Sequence, residues 1–155
     1  MNRRAIGMAL VGAQFVLLAG IVLLPWTAPF WDRMPLALVI GGALALAGSV
    51  IAVLGVVGLG RSLTANPVPL ESSELVTSGL YGWVRHPIYS GLLLAALGVT
   101  LAAATWWHVA AWVALVVLLM GKARWEERML AERYDGYADY ARRTGRFIPG
   151  IGRIG

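Results

Sequence analysis

Two short segments of this 155-residue chain carry residue types that can hold a ligand. The first is Glu74 to Gly91, ELVTSGLYGWVRHPIYSG, which gathers Tyr81, Trp83, Arg85, His86 and Tyr89 into nine residues. Pro87 suits the first turn of a helix, where its missing N–H leaves no hydrogen bond unmade. Arg85 and His86 then fall just before that helix, beside unpaired backbone N–H groups and the positive end of its dipole. That is a place for an anionic or electron-rich ligand, and Gly79 and Gly82 permit tight turns or close backbone approach to it. The second segment carries the adjacent carboxylates Glu126 and Glu127, about forty positions downstream. Read alone, the acids form a solvated helix face, with Lys122 to Glu126 and Arg128 to Glu132 at i,i+4 and Arg124 to Glu127 at i,i+3. Read together with Arg-His-Pro, a carboxylate there accepts hydrogen bonds from ligand hydroxyls or an ammonium. Arg142, Arg143 and Arg146 alone read as contacts to lipid headgroups. An arginine held near the opening would instead grip a carboxylate or phosphate with its planar fork.

Other chemistries lack their residues. There is no cysteine, which excludes disulfides, thiolate nucleophiles and Cys-ligated zinc. No Walker-type loop, GxGxxG, HExxH or Ser-His-Asp set occurs. The two histidines are assigned to opposite membrane sides, so they build no common metal site, and His108 beside Trp106 and Trp107 reads as an interface residue. The net charge of +5 does not indicate nucleic acid, because the chain has no recognisable binding module and anionic headgroups account for a segregated basic excess.

With 59% hydrophobic and 14% charged residues, the chain belongs in a bilayer rather than in water. Its length indicates one domain, 1–155. Ala5 to Leu24 is an uncharged run long enough to span. It is expected to be a retained helix rather than a signal peptide, since Pro25 and Trp26 follow in place of a small-x-small cleavage site. Gln14 near its middle is placed to hydrogen-bond a neighbouring helix. Pro25 to Pro35 is an aromatic, proline-rich interfacial turn. Leu36 to Leu59 is a second span, in which Gly41, Ala45, Ser49 and Gly48, Ala52 recur at four-residue spacing and invite close helix approach. Arg61 to Ser73 reads as an extended surface loop. Ile88 to Ala104 and Val109 to Gly121 are two further, shorter apolar segments joined by a tight hairpin of Thr105, Trp106, Trp107 and His108. Lys122 to Tyr134 is expected as a separate amphipathic helix, with glycines and Pro149 ending regular structure beyond it.

The expected architecture is therefore an all-α integral membrane protein of about four transmembrane helices plus a C-terminal amphipathic cytoplasmic helix. Two N-terminal membrane helices occupy 1–60, and the ligand-holding half is 61–155. Of 13 lysines and arginines, only Arg33 falls on the side opposite the key segment and the tail. The positive-inside rule then puts both termini, the key segment and the tail on the cytoplasmic face, so that residues forty positions apart share one site.

The runs LVTSGLYGWVRHPIYSG and EERMLAERYDGYADYARRTGRFIP together resemble the isoprenylcysteine carboxyl methyltransferase family and its bacterial relatives, a group that also contains phospholipid N-methyltransferases. The resemblance covers roughly Arg61 to Ile151; the first two helices match only as generic spans. It implies a bacterial inner-membrane enzyme that uses S-adenosylmethionine, with S-adenosylhomocysteine as product. It implies a cofactor pocket closed from the cytosolic side and a lipid-side opening for a lipophilic acceptor: a prenylated cysteine-like carboxylate, a lipid or a hydrophobic thiol. Carried over by position, Leu75 and Val76 would offer backbone contacts to the adenine. Tyr81, His86 and Tyr89 would line the cofactor site, and Glu126 or Glu127 would hold its polar groups. Arg85 and Arg143 would stand near the transferring methyl and the acceptor. The chain departs from the family's pattern at Ser73-Glu74, where many relatives carry a histidine, and at Tyr134-Asp135-Gly136-Tyr137, which is one residue shorter than the usual Phe-Gly-x-x-Tyr. A sterol-reductase-like NADPH enzyme and a non-enzymatic membrane scaffold are the competing readings.

Overall fold

A computed structural model describes residues 2–27, 29–30, 34–60 and 75–154. The expected loop Arg61 to Ser73, with Glu74 and Arg33, lies outside these residues. Five α-helices follow in order: α1 (Arg3–Leu23), α2 (Met34–Leu59), α3 (Pro87–Ala103), α4 (Trp106–Arg133) and α5 (Tyr137–Arg143), with a 3-10 turn at Gly79–Gly82 before α3. Among the described residues there is no strand, only two isolated β-bridges, Val84 with Gly145 and Ile148 with Ile151. Helices α1, α2 and α4 are each long and apolar enough to cross a membrane. Helix α3 has 17 residues and is the short one. At a rise of about 1.5 Å per residue it reaches about 26 Å, a little less than a hydrocarbon core of roughly 30 Å.

Helix α3 is the centre of the bundle. On one side it lies antiparallel to α2, and glycines at seven-residue spacing interlock the two. A Cβ placed on Gly41 would sit 2.5 Å from the Gly98 carbonyl oxygen, one on Gly48 2.6 Å from that of Gly91, and one on Gly55 2.9 Å from the Ile88 side chain. Gly91 and Gly98 answer from α3, facing the backbone of Ala52 and Ala45. The expected close approach is therefore present at both four-residue pairs, Gly41 with Ala45 and Gly48 with Ala52, set a heptad apart, whereas Ser49 bonds the Ala45 carbonyl of its own helix. In an apolar solvent, backbone proximity of this kind replaces the hydrophobic effect as the source of helix association.

On its other side α3 meets α1 and α4 around Ile21, Ala96, Leu115 and Leu119, with Leu17, Leu93 and Trp112 packed against them. Trp112 donates its indole N–H to the Leu93 carbonyl at 3.0 Å. At the end of the bundle away from the arginines, Ala104 adopts a left-handed conformation (φ 51°) and Thr105 caps α4, accepting from the His108 backbone N–H. The hairpin is thus two residues, and Trp106 to His108 form the first turn of α4. His108 is not an interface residue: it is fully buried, bonded to the Thr105 hydroxyl at 2.7 Å and edge-on to Trp26.

The tail helix also differs from expectation. Lys122 to Arg133 continues α4 without a break despite Gly121 at the junction, because Lys, Ala, Arg, Glu, Met and Leu are all strong helix formers and no proline intervenes. One buried stripe runs down the whole helix, Leu115, Leu119, Lys122, Ala123, Glu126, Glu127, changing from apolar to ionic without changing face. At the ionic end Arg3 pairs with Glu132 at 2.9 Å, which sets the start of α1 beside the end of α4.

Gly48→Leu or Gly98→Leu is expected to lower stability by about 3 kcal/mol or to abolish monodisperse protein, since the obstructing atoms are backbone. Gly12→Ala and Gly20→Ala, which open onto free space, are expected to be neutral or slightly stabilising. Thermal melts in one detergent check both.

Candidate functional site

The site is assembled by the segment that leads into α3. Gly79 takes a positive φ of 59° in the 3-10 turn, and Tyr81 hydrogen-bonds from its hydroxyl to the Gly55 carbonyl at 3.2 Å, pinning the turn to the end of α2. The chain then runs alongside the tail. The Arg85 backbone N–H donates to the Gly145 carbonyl at 2.8 Å, and that of His86 to the Arg146 carbonyl at 3.1 Å. Ser90 adds a side-chain bond to the Phe147 carbonyl at 2.7 Å. His86 is the N-cap residue of α3 and Pro87 its first helical residue, as the Arg-His-Pro pattern indicates.

Into this frame α4 projects its two carboxylates, both buried. Glu127 accepts from Arg85 Nε at 3.0 Å, from His86 Nε2 at 3.2 Å, and from Arg146 through a two-pronged contact, Nε at 2.9 Å and Nη2 at 2.7 Å. A planar guanidinium matched to a carboxylate in this way is strong and directional. The same contact pushes the Arg146 guanidinium above its ordinary range. Arg85 makes three further bonds. Its Nη1 reaches the carbonyls of Ala141 and Thr144, and its Nη2 donates to the Gly152 carbonyl at 2.8 Å.

Glu126 is held more lightly. Tyr89 donates its hydroxyl to Oε1 at 2.6 Å, while Oε2 lies 3.6 Å from His86 Nδ1. The His86 and Tyr89 rings stack, with centroids 5.3 Å apart and planes 4° from parallel, and Phe147 closes their edge. Around the cluster stand three neutral tyrosines. Burial and the Glu126 charge push the Tyr81 hydroxyl up to about 12, and burial raises those of Tyr137 and Tyr140 against the opposing charge of Arg85. Tyr140 donates to the Tyr81 carbonyl at 2.6 Å. The Tyr137 hydroxyl is buried and meets no hydrogen-bond partner among the described residues.

Of the residues expected at a site, Arg85, His86, Tyr89, Glu126 and Glu127 form one connected network. Tyr81 joins it through Tyr140, and Leu75 packs on the Tyr137–Tyr140–Ala141 cluster. Val76 is half-buried beside it. Arg143 lies outside the network: it is exposed on α5 and bonds the Asp139 carbonyl of the preceding turn. The arginine that reaches Glu127 is Arg146, which sequence reasoning grouped with lipid-facing cations. Lys122 bonds Gln14 rather than pairing within α4. Gln14 does meet a neighbouring helix, but its partner is a buried charge that the polar setting of Lys122 concealed. Among the described residues no group of three or more His, Cys, Asp or Glu side chains is placed to hold a metal.

Residues 36–136 match the phospholipid methyltransferase family. The chain is 43% identical over 81 residues to the cobalt-zinc-cadmium resistance protein CzcN of Cupriavidus metallidurans, across 51% of this chain and 37% of that protein. It is 39% identical over 83 residues to the nickel-cobalt-cadmium resistance protein NccN of Alcaligenes xylosoxydans xylosoxydans, across 51% of this chain and 38% of that protein. The chain therefore spans less than two fifths of the length of these curated relatives. Helix α1 and the tail after 136 lie outside the family match.

Arg85→Met removes the tie between Glu127 and three tail carbonyls. It is expected to lower stability by about 3 kcal/mol, as removing one partner of a buried ion pair does. It should also make the chain after Arg142 the first site of trypsin cleavage. Arg143→Ala should change the melting temperature hardly at all and leave that cleavage pattern as in the parent protein.

Proposed function

The chain belongs to the phospholipid methyltransferase family, and from that premise we propose that it is a membrane methyltransferase moving the methyl group of S-adenosylmethionine to a lipophilic acceptor. The observation that carries the reading is the buried network in which His86 and Tyr89 of one segment meet Glu126 and Glu127 of another at one end of an apolar bundle. Every described arginine lies at that end, so the positive-inside rule supports a cytoplasmic site and cytoplasmic termini, in keeping with a bacterial inner membrane.

The residues suit the cofactor. Glu127 is saturated by protein donors, whereas Glu126 retains acceptor capacity and the Tyr137 hydroxyl is a buried donor without a partner among the described residues. Glu126 would accept from the cofactor's hydroxyls or ammonium, and the stacked His86–Tyr89 pair would wall its cationic region. Leu75 and Val76 would offer backbone to the adenine. The cofactor supplies a methyl group already activated on a sulfonium. The chain's part is to align that group with an acceptor and to exclude water, which is where most of the barrier reduction for such a displacement arises. Arg85 and Arg146 act as positioning residues that fix Glu127 and the tail. The role near the methyl that the family resemblance gives to Arg143 is better suited to Arg146, by proximity to Glu127.

Titration of detergent-purified protein with S-adenosylmethionine should show saturable binding, with NADPH as the comparison. Glu126→Gln is expected to weaken that binding about tenfold or more, the scale of one charge-assisted hydrogen bond. Transfer of labelled methyl to a membrane lipid extract completes the test. Binding of NADPH in place of S-adenosylmethionine, or of neither, overturns the reading.

A further inference from the structure

Helix α1 reaches the site through one buried lysine. Lys122 and Gln14 are 4% and 7% exposed, and Lys122 Nζ donates to Gln14 Oε1 at 2.7 Å. The same ammonium stands 4.9 Å from the centroid of the Tyr89 ring. Its charge also acts at longer range on the Glu126 carboxylate, one turn along the buried stripe of α4. One cation is thus answered by an amide oxygen of α1, a ring face of α3 and a carboxylate of its own helix. A buried ammonium needs such partners, because its three N–H donors and its charge have left water. Ionisable groups inside membrane helices are costly and serve a function by default.

These contacts close on the acid that has acceptor capacity to spare. Tyr89 donates its hydroxyl to Glu126 Oε1 at 2.6 Å, and its ring stacks on His86. A cation beside a phenol ring is attracted to the ring face, and by drawing electron density from the ring it makes the hydroxyl a stronger donor. Lys122 therefore supports the Tyr89–Glu126 bond in two ways, fixing the ring and supplying counter-charge to the carboxylate. Gln14 sets where the ammonium sits. A clasp between α1 and α4 would need only the Gln14 bond. It would need neither the Tyr89 contact nor the charge, since two neutral polar groups also join membrane helices.

We propose that Lys122, seated by Gln14, is a positioning residue for the cofactor-holding pair Tyr89 and Glu126, and that α1 is by this route a working part of the site. This role rests on the methyltransferase reading where Glu126 is taken to grip the cofactor. It goes beyond the family match, which begins at residue 36 and leaves α1 out. Neither Lys122 nor Gln14 needs to touch a ligand for it; each acts through the side chain it holds.

Calorimetric titration of detergent-purified protein with S-adenosylhomocysteine tests this as a double-mutant cycle. Lys122→Met is expected to weaken binding about tenfold, the scale of one charge-assisted hydrogen bond, and Gln14→Leu several-fold. In a Glu126→Gln background each should change the affinity by less than about twofold, because the group they act through is already altered. Effects that persist in full in that background, or that are absent from both single variants, overturn the proposal. Gln14→Leu carries the test alone should Lys122→Met fail to fold. A second readout needs no ligand: in fluorotyrosine-labelled protein, the fluorine resonance that Tyr89→Phe removes should move in Lys122→Met and in Gln14→Leu. A role as a helix clasp alone predicts lowered melting temperatures with that resonance and the affinity unchanged, and this result also overturns the proposal. No S-adenosylhomocysteine binding in the parent protein, with the Tyr89 resonance still answering to Lys122, would instead overturn the methyltransferase reading and leave the positioning of Tyr89 standing.

Discussion

A carboxylate enclosed by apolar helices persists only when its charge is answered, and Glu127 is answered by Arg85, His86 and Arg146. These partners come from two stretches about sixty residues apart, so the contact forces the entry to α3, the lower half of α4 and the tail into one place. Replacing such a cluster wholesale with apolar side chains is often neutral in stability, whereas removing one member is costly. The cluster therefore specifies an arrangement more than it contributes free energy. Arg85 shows this most directly, because its hydrogen bonds beyond the one to Glu127 all go to tail carbonyls. Tail conformation and site charge are held by the same guanidinium.

The arrangement would drift if α3 were free to slide, and the glycines of α2 prevent that. Their contacts run from Gly41 against Gly98 to Gly55 against Ile88, one residue beyond the proline that starts α3. Tyr81 bonds the Gly55 carbonyl from the other direction. The last rung of the helix pair and the turn that delivers Arg85 and His86 thus share an anchor. A site mounted on close-packed helices is held more tightly than one mounted on loops, and this one takes its position from backbone-to-backbone contact.

The apolar runs, the Arg-His-Pro helix start and the one-sided arginines are all legible in the sequence, because each depends on local composition or spacing. So is the meeting of the key segment with the Glu pair, once the charge asymmetry puts both on one side. What is not legible depends on chain direction. The polarity change at Lys122 reads as a boundary, yet strong helix formers follow it and α4 runs through Gly121 without stopping. Arg143 and Arg146 are three residues apart in a basic stretch, and nothing in their types separates them. The separation comes from α5 ending at Arg143 and the chain turning at Gly145, where a Cβ would meet the Gly150 backbone N at 2.8 Å. His108 is misjudged from its tryptophan neighbours because its burial is decided by the Thr105 cap, a contact between residues that both look interfacial.

Adjacent residues on a helix point about 100° apart, and that geometry lets a Glu-Glu pair divide its work. Glu127 faces the tail and is consumed by it. Glu126 faces the His86–Tyr89 stack, with one oxygen bonded at 2.6 Å and the other 3.6 Å from His86 Nδ1. A single acid could not serve both ends, since an oxygen bound by a guanidinium fork has little left to offer a ligand. One turn further along the same buried stripe Lys122 turns to α1 instead, donating to Gln14, so three successive polar residues of α4 each answer a different element.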